Sequence, residues 1–292
     1  MIGRTRRDAC PGVLRPWLAD DGALVRLRLP GGAVAPGALA ELLRVAERHG
    51  DGAVYLTSRA NLQVRGLAHT DGRLSDEVVD AVLATGLVPS PTHERVRNIM
   101  VSPLTGRSGG RADLRPVVGD FDARLCGESR LSALSGRFLF VLDDGRGDLA
   151  GRDLDLGLVA VDAEFAQLRA GSTDWGAVVP LGKAAETLTA LAIAFVEQAG
   201  TAPDSPWHVD ELDSGGAGLL GVPQDRRADT RVSSGPPPLG KIAQQDGRVA
   251  EHVPVPDGRL DAHLMTELDA LSPRELIVTP WRTVVVPDLE NA

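Results

Sequence analysis

Cysteine is almost absent: Cys10 and Cys126 are the only two in 292 residues. Two thiols so far apart build no disulfide framework and fit a reducing compartment. They also limit metal chemistry, because a cubane iron–sulfur cluster takes four thiolates. The six histidines (His49, His69, His93, His208, His252 and His263) are scattered, with no HxH or HExxH pairing, so no metal ligands are assigned. No run of about 18 apolar residues occurs, which leaves no spanning helix. The charged start, residues 1–8, has no apolar stretch behind it and does not read as a secretory leader. A cytoplasmic protein with no membrane partner is expected. Lysine is as scarce as cysteine, two residues against 29 arginines, a bias that a GC-rich genome produces. The net charge of −9 argues against nucleic acid. Yet residues 1–65 hold ten Arg against six Asp or Glu, so a local cationic site for an anionic ligand is expected there.

What is present reads as alternating short elements. Ala23-Leu24-Val25-Arg26-Leu27-Arg28-Leu29 alternates apolar and cationic positions, the pattern of a half-buried strand, and Pro30-Gly31-Gly32 ends it. Pro36 opens a helix with Leu39, Leu42, Leu43 and Ala46 on one face, stopped by Gly50. Residues 53–56 and 61–67 read as strands, Ser75 as the N-cap of a further helix, and 96–101 as a fourth strand. That order, β-α-β-β-α-β, is ferredoxin-like. The same grammar returns near the end, where Leu29-Pro30-Gly31-Gly32 lies on Val255-Pro256-Asp257-Gly258 and Thr57-Ser58-Arg59 falls close to Thr279-Pro280-Trp281, a weak internal repeat. Between them lies a middle unit with a buried strand at 138–142, a second at 154–161 and a long helix over 183–198. Residues 224–238 read as a mobile linker. The expected division is 1–95, 96–223, the linker 224–238, and 239–292.

Three motifs tempt and fall to context. Gly216-Ala217-Gly218-Leu219-Leu220-Gly221 satisfies G-x-G-x-x-G, but Pro223 and a polar stretch follow where a phosphate-binding helix is needed. Gly106-Arg107-Ser108-Gly109-Gly110 satisfies G-x-S-x-G without the strand-to-helix turn that exposes a nucleophile. Asp143-Asp144 resembles a metal pair, but a hairpin turn explains both residues.

Cationic and amide side chains recur at alternate positions beside turns in three places: Arg26 and Arg28; Thr57, Arg59, Asn61, Gln63 and Arg65; and Arg97 with Asn98. Guanidinium groups take carboxylates two hydrogen bonds at a time, and amides complete the set. A ligand with many carboxylates suits such a surface; a solvated strand face in an arginine-rich chain is the alternative, and spacing alone leaves both open.

The R-L-P-G-G strand end, the T-S-R-x-x-x-Q segment and the R-N-I segment, in this order, resemble the tetrapyrrole-contacting motifs of the sulfite and nitrite reductase superfamily. Asp8-Ala9-Cys10-Pro11-Gly12, Arg97-Asn98-Ile99-Met100-Val101-Ser102-Pro103-Leu104, Gly136-Arg137-Phe138-Leu139-Phe140 running to Gly145, and Thr279-Pro280-Trp281-Arg282 resemble the precorrin-3B synthase branch. The resemblance implies an α+β fold in which two ferredoxin-like half-domains pair about a pseudo-twofold axis beside a central α+β domain. It implies an oxidoreductase that oxidises a precorrin in cobalamin biosynthesis, with a cluster-free module that binds a tetrapyrrole without turnover as the alternative. Arg26, Arg28, Thr57, Arg59, Asn61, Gln63, Arg65, Arg97 and Asn98 would bind the tetrapyrrole (siroheme or a precorrin, hence heme-type chemistry). Arg28, Arg97 and Arg137 would line the reactive face. Sulfite reductases place two lysines where this chain has Arg137 and Leu139. The family also carries a [4Fe–4S] cluster held by two cysteine pairs downstream of the second half-repeat, and these have no counterpart in this chain, which makes a separate electron donor or cluster-bearing segment the expected partner.

Overall fold

The computed structural model describes residues 8–200, 202 and 204–291, so the charged arm of residues 1–7 lies outside the described residues. The first stretch runs β1 (Trp17–Ala19), β2 (Gly22–Leu27), β3 (Ala33–Val34), α1 (Pro36–His49), β4 (Val54–Leu56), β5 (Leu62–Leu67) and α2 (Asp76–Ala84). Then come β6 (Ile99–Val101), α3 (Arg115–Gly127), β7 (Phe140–Asp143), β8 (Leu156–Ala160), β9 (Phe165–Ala170), β10 (Asp174–Pro180), α4 (Leu181–Ala199) and the single turn α5 (Ala217–Leu220). The last stretch holds β11 (Gly240–Ala243), β12 (Val249–Pro254), β13 (Arg259–Leu260), α6 (Ala262–Ala270), β14 (Leu276–Val278) and β15 (Thr283–Leu289). Two compact units result. One is made of residues 10–95 with 237–292, the other chiefly of 96–236.

In the first unit the chain repeats itself. Its two five-stranded sheets have the orders β1-β2-β5-β4-β13 and β11-β12-β15-β14-β3. Each strand of one sheet has its counterpart in the other, and the halves exchange their shortest strands. Arg259 and Leu260 of β13 pair with Tyr55 and Val54, while Val34 and Ala33 of β3 pair with Leu276 and Ile277. Even the irregularity repeats, since the ladder slips between Ala23 and Val25 in one half and between Val249 and Glu251 in the other. The two PxG turns match as well, with Gly31 at φ 69° and Asp257 at φ 55°. Leu39, Leu42 and Ala46 of α1 and Leu264 and Leu268 of α6 bury their apolar faces in one shared core with Val25, Val64, Val284 and Val286. Burying a Leu or Val side chain contributes about 1.5–3 kcal/mol, so this shared core binds the halves together.

The second unit is one sheet, β10-β9-β8-β7-β6, with β6, β7 and β8 parallel and β9 and β10 antiparallel. Four of the five phenylalanines concentrate under α3 and α4. Phe121 and Phe140 meet edge to face at 4.8 Å, and Phe138 lies 5.0 Å from Phe140 and 4.7 Å from Phe195. Two expectations change here. Residues 96–101 do not complete the ferredoxin-like sheet, because β6 pairs in parallel with β7 and the vacant edge beside β4 is taken by β13. The stretch 224–236 is irregular but fastened. The fully buried Gln167 donates to Asp225 O and accepts from Arg227 N, Thr230 is buried, and Gly147 O accepts from Ser234 N. Among the described residues no helix is long and apolar enough to cross a membrane.

Candidate functional site

β2 carries its cations to the Pro30 turn. Arg26 lies opposite Gln63 in the β2–β5 ladder, and its Nε and Nη2 donate to Gln63 Oε1 at 3.0 and 2.5 Å. Arg28 is only 1% exposed, a rare position for arginine. Its Nη1 donates to the carbonyls of Pro11 and Arg26, but Nε and Nη2 are buried with no hydrogen-bond partner. Burial, helped by the charges of Arg26 and Arg95 and opposed by Cys10 and Glu94, lowers its pKa to about 9. The guanidinium is still charged at neutral pH, so the depression measures how little its surroundings offset that charge. Burial also lowers Arg26, where Cys10 opposes the shift and Arg59 adds to it.

The Thr57 turn supplies the rest. Thr57 Oγ1 accepts from the backbone N–H of Arg59 and Asn61, at 3.3 and 3.1 Å, and Ala60 takes φ 56° to close the loop. Asn61 Oδ1 accepts from Leu29 N at 2.9 Å and ties the turn to the end of β2. Arg26, Arg28, Thr57, Arg59, Asn61 and Gln63 therefore come together at the paired ends of β2 and β5. Arg65 does not join them; its Nε donates to Asp21 at 3.1 Å, and its guanidinium lies 6.0 Å from the Tyr55 ring. Glu94 was not singled out from the sequence, yet its carboxylate accepts from Val13 N and Leu14 N and anchors the arm that covers Arg28. Gly12 leaves room for that carboxylate, which a Cβ at this position would strike.

Of the remaining candidates, Arg97, Asn98 and Arg137 lie in the other unit. Arg97 forms a two-bond pair with Asp122 of α3, both contacts at 2.7 Å, and is buried. Asn98 Nδ2 donates to Gly136 O and Phe138 O. Arg137 is exposed and lies over the Trp207 ring at 5.4 Å. Leu139 is buried, and its N–H donates to Asp155 Oδ2 at 2.8 Å, while Asp155 Oδ1 accepts from Val209 N.

The duplicated half is an internal comparison for these charges. By ladder register, His252 stands where Arg26 does and Val285 where Gln63 does. The matching turns place Pro254 at the Arg28 position, Trp281 at that of Arg59 and Thr283 at that of Asn61. The backbone therefore does not demand the cations. One half has them and the other folds the same way without them.

Residues 18–71, the stretch that holds this turn and ladder, match the family described as the nitrite/sulfite reductase ferredoxin-like half domain. The fold of the whole chain matches that of the Mycobacterium tuberculosis NirA protein with a TM-score of 0.66 at 17% identity, over 99% of this chain and 58% of that one. The chain belongs to the nitrite/sulfite reductase superfamily. Within the superfamily it is 30% identical over 224 residues to a precorrin-3B synthase of Sinorhizobium, covering 75% of this chain and 45% of that protein. It is 31% identical over 130 residues to a ferredoxin–nitrite reductase of Synechococcus elongatus, covering 42% of this chain and 25% of that protein. These alignments span less than half the length of either relative.

Nitrite/sulfite reductase relatives imply siroheme and an iron–sulfur cluster. The unsatisfied donors of Arg28, beside Arg26 and Arg59, fit the carboxylates of a tetrapyrrole. The cluster does not fit this chain's own residues. Cys10 and Cys126 fall in different units, and four thiolates are needed.

A separate buried acidic group belongs to the Asp143 turn. Asp143 accepts from the N–H groups of Gly145, Gly147 and Leu149, which makes it a turn residue. Among the described residues no group of three or more His, Cys, Asp or Glu is placed to hold a metal ion. Asp148 accepts from Ser102 Oγ at 2.7 Å through Oδ1, while Oδ2 is buried without a hydrogen-bond partner and Arg146 Nε stays 3.8 Å away. Burial raises Asp148 to about 7, against the opposing Ser102 bond and with added repulsion from Asp143. An unfolded Asp titrates near 3.9, so the folded state holds this proton more tightly, and stability falls as pH rises from about 4 to about 7 and then levels off. Replacing Asp148 by Asn should flatten that slope, with a gain on the order of 3 kcal/mol at about pH 8 relative to the unmodified chain. Urea unfolding at about pH 5 and pH 8 measures it, and an identical slope in both proteins would show that Asp148 is ionised throughout.

Proposed function

We propose that this chain binds an anionic tetrapyrrole through the first half of its duplicated unit, in a precorrin-3B synthase-like oxidoreductase of cobalamin biosynthesis. The asymmetry of the repeat carries this reading. The two halves share register, bulge and turns, and Arg26, Arg28, Arg59 and Gln63 are replaced by His252, Pro254, Trp281 and Val285 in the second half. A solvated strand face explains neither a fully buried Arg28 nor its two unmet nitrogens. The aligned precorrin-3B synthase supports the branch.

In this reading Arg28 and Arg59 take ligand carboxylates, Gln63 holds Arg26 in place, and Thr57 and Asn61 fix the turn that presents Arg59. When bound, the tetrapyrrole supplies the conjugated ring at which the redox chemistry takes place. The protein's share is binding, orientation and charge. A second reading, a binding module without turnover, is favoured by the two-cysteine inventory, which leaves electron delivery to another protein or segment.

Titrating the purified chain with siroheme and following its absorbance tests both readings at once. Arg28→Ala and Arg59→Ala should each weaken binding by about tenfold or more, since a charge-assisted hydrogen bond contributes about 1.5–3 kcal/mol. Arg48→Ala, which removes an exposed pair with Glu77, should change nothing. Equal affinity in all three variants would return Arg28 and Arg59 to a structural role.

A further inference from the structure

A cavity of about 480 Å³ opens where β5 runs out. Arg48 and His49 from the end of α1, His69 and Thr70 beyond β5, Arg73, and the α2 N-cap Ser75 line it beside the buried Leu74 and Val78. Among the described residues no carboxylate lines this cavity, in a chain with 40 Asp and Glu against 31 Lys and Arg. A tight turn builds one wall. Thr70 and Arg73 exchange both backbone hydrogen bonds, at 2.9 and 3.0 Å, across Asp71 and Gly72 at φ 52° and 76°. Residues paired in this way send their side chains to the same face. Among the described residues the Arg73 and His69 side chains make no hydrogen bond or ion pair. Arg48 does, meeting Glu77 at 2.8 Å, and His49 lies 3.9 Å from the same carboxylate. An exposed pair of this kind holds its arginine only weakly, so Arg48 can turn to a ligand. Asp76 and Glu77 already occupy the positive end of α2, so side chains and not the helix terminus make the site. The repeat supplies the comparison. Leu289 stands where Leu67 does, which puts Glu290 at the Ala68 position and Asn291 at that of His69. The cavity at that end of the second half, about 400 Å³, sets Glu251, Asp288 and Glu290 against Lys241 and Arg274. The fold therefore does not call for cations here.

We propose that this cavity binds a phosphoryl group, free or carried on a small ester, with Arg73 and Arg48 on its oxygens and His49 and His69 as further donors. Donors converging from separate segments suit a tetrahedral dianion, whose oxygens accept from several directions. A planar carboxylate is met by a single guanidinium fork. Ser75 Oγ accepts from Val78 N, which leaves its own O–H to donate. The volume exceeds what one phosphate fills and falls in the range of small-molecule sites, about 300–1,000 Å³. Leu74 and Val78 offer an apolar side to the body of an ester. β5 has six residues at about 3.3 Å each, so this cavity and the Thr57 turn lie roughly 20 Å apart at opposite ends of the strand. The site is independent of the tetrapyrrole reading.

The full chain is titrated with inorganic phosphate and with phenyl phosphate at fixed pH and ionic strength, and its histidine ring protons are followed by NMR. The signals of His49 and His69, identified through His49→Gln and His69→Gln, should move and saturate, while those of His208, His252 and His263 stay still. Arg73→Gln, at an exposed position, should weaken binding by about tenfold or more, the effect of losing a charge-assisted pair. Glu77→Gln should tighten it by about threefold, because it frees Arg48 and removes the carboxylate that competes for it. Arg124→Gln, which removes an exposed pair with Asp120 in α3, should leave binding unchanged. Urea unfolding checks that each variant folds, and Arg48→Gln takes the place of Arg73→Gln should that variant be unstable. Tighter binding of phenyl phosphate than of phosphate marks an ester as the ligand, and equal affinity marks free phosphate. No saturating shift of His49 or His69 up to about 20 mM overturns the proposal. So does the same shift from chloride at equal ionic strength, or an equal loss in Arg73→Gln and Arg124→Gln. Siroheme affinity in Arg73→Gln should match that of the unmodified chain, so failure at either site leaves the other readable.

Discussion

Gly32→Ala is expected to destabilise the chain by more than about 3 kcal/mol, the largest folding effect of any single methyl group considered. Gly32 sits at φ 74°, where an L side chain is strained, and a Cβ there would stand 2.1 Å from the carbonyl oxygen of Val278. That oxygen belongs to β14, a backbone held on one side by β15 and on the other by β3. Neither partner can move aside cheaply. Left-handed strain and overpacking each contribute about 1–3 kcal/mol. The damage also falls where it matters most, because β3 follows directly and is the strand that the first half lends to the second. Gly37→Ala is the matched control. It lies in α1 with nothing near its Cβ, so alanine should be neutral or stabilising by up to about 1 kcal/mol. Urea unfolding of the two variants beside the unmodified chain decides the matter. An unchanged midpoint for Gly32→Ala would mean that β3 does not dock on β14 so closely.

The glycine also shows which parts of the fold the sequence made legible. The repeat could be read because turn chemistry leaves residue-specific marks. Pro30-Gly31-Gly32 and Pro256-Asp257-Gly258 both need a left-handed residue, and Thr57 and Thr279 both close a turn onto a partner four residues on. The long amphipathic helices were equally readable from spacing. The strand exchange was not. β3 and β13 have two residues each, too few to show any period, and their partners lie more than 200 residues away in sequence. β6 was legible as a strand but not as to its sheet, since three buried apolar residues look alike in either setting. At the site, spacing put Arg26 with Arg28, and Asn61 with Gln63 and Arg65, on common strand faces, and left a ligand surface and a solvated face both open. It could not reveal that Arg97 meets Asp122 or Arg65 meets Asp21, because those carboxylates come from elements packed only by tertiary structure. Glu94 was invisible for the same reason, as its partners are backbone N–H groups of a distant arm.

No sulfide is expected from sulfite when this chain is supplied with siroheme and a strong artificial electron donor. Reduction of a small anion builds negative charge at the reacting atoms, which positive groups around them must stabilise. At the two positions where the resemblance places reductase lysines, this chain has Arg137 on the surface over Trp207 and Leu139 buried. Leu139 offers no charge, and its backbone is already fixed to Asp155, which in turn holds Val209. Loss of one preorganised electrostatic contact commonly lowers a rate by about 10²–10³. The deficit in electron supply is separate, because two cysteines in different units hold no cluster. Leu139→Lys addresses only the first and brings its ammonium into a position now filled by a buried leucine, so it should not restore activity. The measurement is anaerobic sulfide production by the unmodified chain and by Leu139→Lys, each against free siroheme under the same donor. Sulfide above that control from the unmodified chain would move its chemistry to the reductases and sink the synthase-like reading. Sulfide from Leu139→Lys alone would show that one missing cation, and not electron supply, separates this chain from them.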